Sequence, residues 1–171
     1  MKKVYLSIFL ILLAALSVSA QVVWDNFEDT RIGTYGFING TFIPYQENPA
    51  PGGSNTSLVA ASYSRNPAEA FDVIILDEQM ADLTDYRTGA RSMSIDVWSP
   101  AVGVTVQITL ENSVLAEPAN FPTGRHSAYL TTTTVAQQWE TLTFNFDNQP
   151  DPTVADDNVD RMVLLLSLIH I

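Results

Sequence analysis

Beyond residue 20 the chain alternates apolar and polar positions with a period of two. Val104, Val106, Ile108 and Leu110 interleave with Thr105, Gln107, Thr109 and Glu111. Met93, Ile95 and Val97 alternate with Ser94, Asp96 and Trp98, and Leu142, Phe144 and Phe146 with Thr141, Thr143 and Asn145. Ala128 and Leu130 oppose Ser127, Tyr129 and Thr131. Successive side chains of an extended backbone point to opposite sides, so this pattern predicts half-buried strands. Further strands are predicted over 22–28, 38–44, 57–64, 70–76 and 161–168. The last is apolar on both faces and belongs in the middle of a sheet. Turn chemistry separates the runs at Asn39-Gly40, Pro49 to Gly53, Ser99-Pro100, Glu117-Pro118 and Gln149 to Pro152. Residues 78–87 predict one short helical turn. About nine strands without a crossover helix predict an all-β fold, a two-sheet antiparallel β-sandwich.

The first twenty residues follow another rule. Lys2 and Lys3 precede an apolar run over 5–16, and Val18 and Ala20 sit at the −3 and −1 positions of a small-residue cleavage site. They predict a signal peptide over 1–20, removed on export, with no membrane span left behind. The mature part, 21–171, is then one sandwich domain of ordinary size. The ending LLLSLIHI stops inside an apolar run, and SLIHI looks like translated adapter sequence. A C-terminally truncated fragment with non-native last residues is expected.

Charge narrows the partners. The whole chain carries −11, and loss of Lys2 and Lys3 makes it two units more negative. Such a surface repels phosphate backbones, so nucleic acid is a poor partner. There is no cysteine, which excludes disulfide frameworks, zinc–thiolate sites and cysteine nucleophiles.

No stretch reads as a catalytic motif: no G-x-S-x-G elbow, H-E-x-x-H helix or phosphate loop occurs, nor acids packed on one strand face. His126 stands at a loop-to-strand junction and reads as solvated or structural. The reading is therefore non-catalytic. Sugar sites pair flat aromatic rings with planar polar groups. Parity puts Trp98 with Asp96 and Ser94, away from the Met93–Ile95–Val97 face. It puts Gln107 with Glu111, Tyr129 with Ser127 and Arg125, and Asn145 with Thr143. If these strands share a sheet, Trp98 and Tyr129 are candidate stacking residues. Asp96, Gln107, Glu111, Arg125 and Asn145 are then candidate hydrogen-bonding partners for hydroxyls. The competing reading is an ordinary polar outer face. Trp139 reads as a structural plug at the sandwich end, and Tyr45, Tyr63 and Phe121 as loop residues able to rim a site. Acids cluster at Asp25, Glu28 and Asp29 and again at Asp156, Asp157 and Asp160. The two clusters meet if the first and last strands lie close; solvated loop acids are the alternative.

The order of several short motifs carries a resemblance. Asp25-Asn26-Phe27-Glu28 follows the leader, then come Asn48-Pro49, Asn55-Thr56-Ser57 and Asp82-Leu83-Thr84-Asp85-Tyr86. Trp98-Ser99-Pro100, Leu110-Glu111, the run from Trp139 to Phe146, and Asp160-Arg161 complete it. In that order the chain resembles the jelly-roll, galactose-binding-like carbohydrate-binding modules of secreted Bacteroidetes polysaccharide-processing proteins. The resemblance implies a jelly roll at a Gram-negative envelope, appended to further domains, that binds polysaccharide. It also implies a structural calcium held by Glu28 and Asp160. The alternatives are a structural or adhesive sandwich of a larger surface protein, without a sugar site, and an accessory fragment of a glycoside hydrolase.

Overall fold

A computed structural model describes residues 21–69 and 71–167. The expected signal peptide and the tail from 168, including His170, lie outside the described residues. Among the described residues nine strands form: β1 (Thr34–Ile38), β2 (Thr41–Glu47), β3 (Val59–Ser64), β4 (Phe71–Asp77), β5 (Met93–Trp98), β6 (Thr105–Glu111), β7 (Arg125–Thr132), β8 (Trp139–Asn148) and β9 (Arg161–Ser167). One short helix, α1 (Thr84–Thr88), falls where a single turn is predicted. Gly89 closes it at φ 79°, a left-handed conformation that glycine adopts without strain. No helix among the described residues is long and apolar enough to cross a membrane.

Seven strands make one curled sheet in the order β1-β4-β9-β6-β7-β8-β5, and β2-β3 make a second, smaller one. Every pairing is antiparallel. The chain is all-β with two sheets, as its alternation predicts. β9 lies between β4 and β6, the central place expected of a strand apolar on both faces.

Two N-terminal expectations change. The predicted strand 38–44 is split by Asn39-Gly40 into the end of β1 and the start of β2. A Cβ on Gly40 would run into the Ser64 carbonyl and the Tyr63 hydroxyl, so only glycine lets the hairpin close there. The predicted strand 22–28 does not form. Instead Asp25 bridges Arg31 across a tight arch. Asn26 Oδ1 accepts the N–H groups of Glu28, Asp29 and Thr30 at 3.0, 3.1 and 2.9 Å. Phe27 turns to φ 58°. An asparagine side chain that competes for local backbone donors ends extension here.

The core lies on one face of the curled sheet. Val106, Ile108, Leu110, Tyr129, Leu142 and Phe144 are buried together, with Met93, Ile95, Val97, Met162, Leu164 and Leu166 packed against them. The sheet's curl brings β5 and β8 against β6 and β9. The segments 78–83 and 156–160 run side by side, through Glu78 N–H to Asp160 O and Met80 N–H to Val159 O, each 2.9 Å, and Leu83 N–H to Asp156 O at 3.0 Å. They seat Met80, Leu83, Val154 and Val159 in the same core. The small sheet meets the large one through Phe42, whose ring lies 4.8 Å from that of Tyr35 on β1. Trp139 Nε1 donates to Asn48 Oδ1 at 2.9 Å and joins β8 to the loop after β2.

Candidate functional site

Trp98 ends β5 and Trp139 opens β8, and the antiparallel register sets them directly opposite. Their rings meet edge to face with centroids 6.0 Å apart. Both are half-buried, and neither belongs to the core cluster. Val97 and Ile95 turn inward, so Trp98, Asp96 and Ser94 turn outward, as parity predicts. In the next pair along, Thr141 donates its hydroxyl to Asp96 Oδ1 at 2.6 Å. Thr143 and Asn145 continue the outward row as exposed residues. Two indoles, a carboxylate, three hydroxyls and an amide therefore share one solvent-facing strip of β5 and β8. Trp139 belongs to this strip as well as bracing the Asn48 loop.

Tyr129 is not on it. Its side chain is 2% exposed, it pairs across the sheet with Ile108, and its ring packs edge to face on Phe146 at 5.7 Å. Within 127–131 the parity groups hold, but the inner group is Ser127–Tyr129, while Ala128, also buried, and Leu130 lie on the opposite face. Arg125 leaves the Tyr129 group because the register slips between Leu110 and Glu111, which inserts His126 as an extra residue. A ring enclosed in the core cannot stack on a sugar. Its hydroxyl is buried with no hydrogen-bond partner among the described residues.

Glu111 and Arg125 are outward but already occupied. They face each other at 3.5 Å, both nearly covered. Arg161 flanks Glu111 on β9 and itself pairs with Asp77 at 2.8 Å, so charges alternate across four neighbouring strands. Burial pushes the Glu111 carboxyl above the ordinary carboxylate range, and the two arginines oppose that shift. Arg125 also donates to Asn120 Oδ1 at 2.7 Å, Thr123 O at 2.8 Å and Glu117 O at 2.7 Å, which holds the loop before β7. Gln107 donates to Thr109 at 2.9 Å and lies in register with Leu130, which is itself in register with Asn145. Asn148, at the far end of β8, pairs with Ala128, and Arg125 lies beyond it. Trp139 and Asn148 are roughly 30 Å apart at ordinary strand rise. No single sugar ring spans that distance, so Trp98 and Arg125 do not serve one subsite.

The structure also brings together residues that the sequence does not connect. Asp156 accepts hydrogen bonds from Thr84 Oγ1 at 2.8 Å, from Arg87 at 2.9 and 3.2 Å, and from His126 Nε2 at 2.8 Å. In the neutral imidazole this leaves Nδ1 to accept from the Ser127 hydroxyl, 2.9 Å away. Arg87 holds the Asp156 carboxyl well below the usual range; burial opposes this, and Thr84 and His126 add to the lowering. Serine, histidine and aspartate in sequence of contact resemble a hydrolytic relay, but His126 and Ser127 are both 0% exposed. A nucleophile needs a face open to substrate. This cluster is a clasp, buried at its His126–Ser127 end, that ties α1 and the 149–160 loop to β7, and the only prior signal was a histidine at a strand entry.

Glu28 and Asp160 carry the oxygen chemistry a hard cation takes. Glu28 accepts from Ser57 Oγ at 2.6 Å. Asp160 accepts from the Ser113 N–H at 2.6 Å and its hydroxyl at 2.7 Å. No described contact joins the two, and no group of three or more acids, histidines or cysteines is placed for a metal among the described residues. The calcium expectation rests on the resemblance alone.

Comparison with known proteins found no matching family model, no matching curated protein and no matching solved structure.

Proposed function

We propose that this chain is a non-catalytic polysaccharide-binding module, a secreted jelly roll whose site is the outward strip of β5 and β8. The paired indoles of Trp98 and Trp139 carry this reading. Half-exposed tryptophans held edge to face give an incoming ring an apolar platform. Asp96, Thr141 and Asn145 beside it supply acceptors and donors for hydroxyls. Gln107 lies toward the margin of this strip, while Glu111 and Arg125 keep their own loop in place. The order of motifs, the leader-like first twenty residues and the anionic surface support export and a neutral polymer as ligand.

Affinity electrophoresis against plant and algal polysaccharides tests it. At least one polymer should retard the native chain, and Trp98→Ala should lose that retardation while keeping its circular dichroism. The burial of Tyr129 and the closed Glu111–Arg125 pair favour the second reading, a structural or adhesive sandwich. If no polymer retards the folded chain, that second reading stands. Calcium at Glu28 and Asp160 is a separate proposal. A cation bound only by the folded state raises the melting temperature, so chelator should lower it. An unchanged melt removes the metal.

A further inference from the structure

A second polar hollow, of about 130 Å3, lies between the 25–31 arch and β2. Asp25, Glu28, Asp29, Thr30, Arg31 and Tyr45 line it. Asp25 is engaged in holding the arch: its Oδ2 accepts from Arg31 Nε at 2.7 Å and from the Tyr35 hydroxyl at 3.0 Å. The same contact fixes the guanidinium, whose Cζ lies 4.9 Å over the Tyr35 ring. The two terminal nitrogens of Arg31 have no hydrogen-bond acceptor among the described residues. Glu28 uses Oε1 for Ser57, and Asp29 uses Oδ1 for Asn26 and Thr30. Their second oxygens, Oε2 and Oδ2, have no described donor. Tyr45 is 57% exposed and brings a flat ring to the same hollow.

Each class of ligand can be weighed against these groups. A phosphate or carboxylate meets three carboxylates. A bare cation held by all three carboxylates meets the guanidinium, and a calcium on Glu28 would compete with a ligand here for Oε2. An apolar ligand leaves fixed charges without partners, which costs more than it gains. A hydroxyl both donates and accepts, so a neutral polyol answers Arg31 and the two carboxylates together. The volume is far below the roughly 300–1,000 Å3 of enclosed ligand clefts, which suits one sugar residue at an open surface. The arch is preorganised, because Asn26 pins three successive backbone N–H groups, so little ordering is left to binding.

We propose that this hollow is a carbohydrate subsite separate from the Trp98–Trp139 strip, taking one neutral sugar residue with its ring on Tyr45 and its hydroxyls between Arg31 and the carboxylates of Glu28 and Asp29. It does not depend on the indole strip binding anything. The test is NMR titration of the labelled full-length mature chain with the methyl glycosides of glucose, galactose, mannose and xylose. At least one should shift the Thr30 amide and the Arg31 Nε–H progressively. Tyr45→Ala, an exposed change, should weaken that response about tenfold, which is about 1.4 kcal/mol. Glu28→Gln should weaken it less, by a few-fold. The proposal fails if no glycoside moves the arch signals, or if Tyr45→Ala binds as tightly as the native chain. The Trp98 and Trp139 indole signals report separately: indole shifts with a silent arch overturn this subsite and keep the strip, and the reverse pattern keeps the subsite and overturns the strip.

Discussion

Two aromatic pairs sit on neighbouring strands of the same curled sheet, and their fates differ. Trp98–Trp139 and Tyr129–Phe146 are both cross-strand pairs, both edge to face, with centroids 6.0 and 5.7 Å apart. One lies outside the core cluster, and the other brings the fully enclosed Tyr129 into it. Aromatic pairing in a sheet is therefore no mark of function. What separates the pairs is the side of the sheet each occupies. Tyr129 lies on the side of Ile108 and the core, and the tryptophans on the side of Asp96, Thr141 and Thr143.

The contrast can be broken most severely at Tyr129. Tyr129→Ala removes a large ring from a closed core and should cost about 3–5 kcal/mol of stability in urea unfolding. Trp98→Ala should cost far less in the same measurement, about 1 kcal/mol, because it leaves no enclosed cavity. A loss from Trp98→Ala as large as that from Tyr129→Ala would show that both pairs are structural.

Asp156 gives the next effect. Asp156→Asn loses a charge-assisted bond to Arg87 and leaves His126 enclosed with a weaker acceptor, for about 1.5–3 kcal/mol near neutral pH. The sign with pH follows from the lowered folded value. Its contribution is complete above the ordinary aspartate value of about 3.9 and is lost as pH falls through the lower folded value. Asp156→Asn should therefore flatten the fall of stability between about pH 4 and pH 2. Glu111 runs the other way, because its folded value is raised. Protonation favours its folded state, so its contribution is present below the ordinary glutamate value and is lost as pH rises through the folded one. Glu111→Gln should thus remove part of a stability loss that sets in as pH rises above the ordinary glutamate value of about 4.3, about 1 kcal/mol or less. The smallest change is Tyr129→Phe. It deletes a buried hydroxyl that has no hydrogen-bond partner among the described residues, so its unfolding midpoint should match or slightly exceed the native one.

Much of the fold was legible along the chain, and most of the site was not. Val104 to Glu111 and Met93 to Trp98 fell into strands because period-two alternation is a local record of one buried face. Residues 161–168 were placed centrally by being apolar on both sides. The strand predicted over 22–28 gives way to the arch because the Asn26 side chain takes the local backbone donors, a competition no hydropathy pattern records. At Tyr129 parity gave the right grouping and the wrong side, since tyrosine belongs equally well to a wet face or a core. The pairing of Trp98 with Trp139 was hidden by register, which is fixed only when strands 41 residues apart in sequence align.

By itself the sequence determined the all-β class and the inward faces of β5, β6 and β8, because alternation and turn residues act within a few neighbours. Only the tertiary structure decided which face of β7 was interior. It also decided that Arg87, His126 and Asp156 would share one clasp, and that two tryptophans would meet at the surface. Those outcomes depend on bulges, register and curl, which are settled by contacts between distant strands.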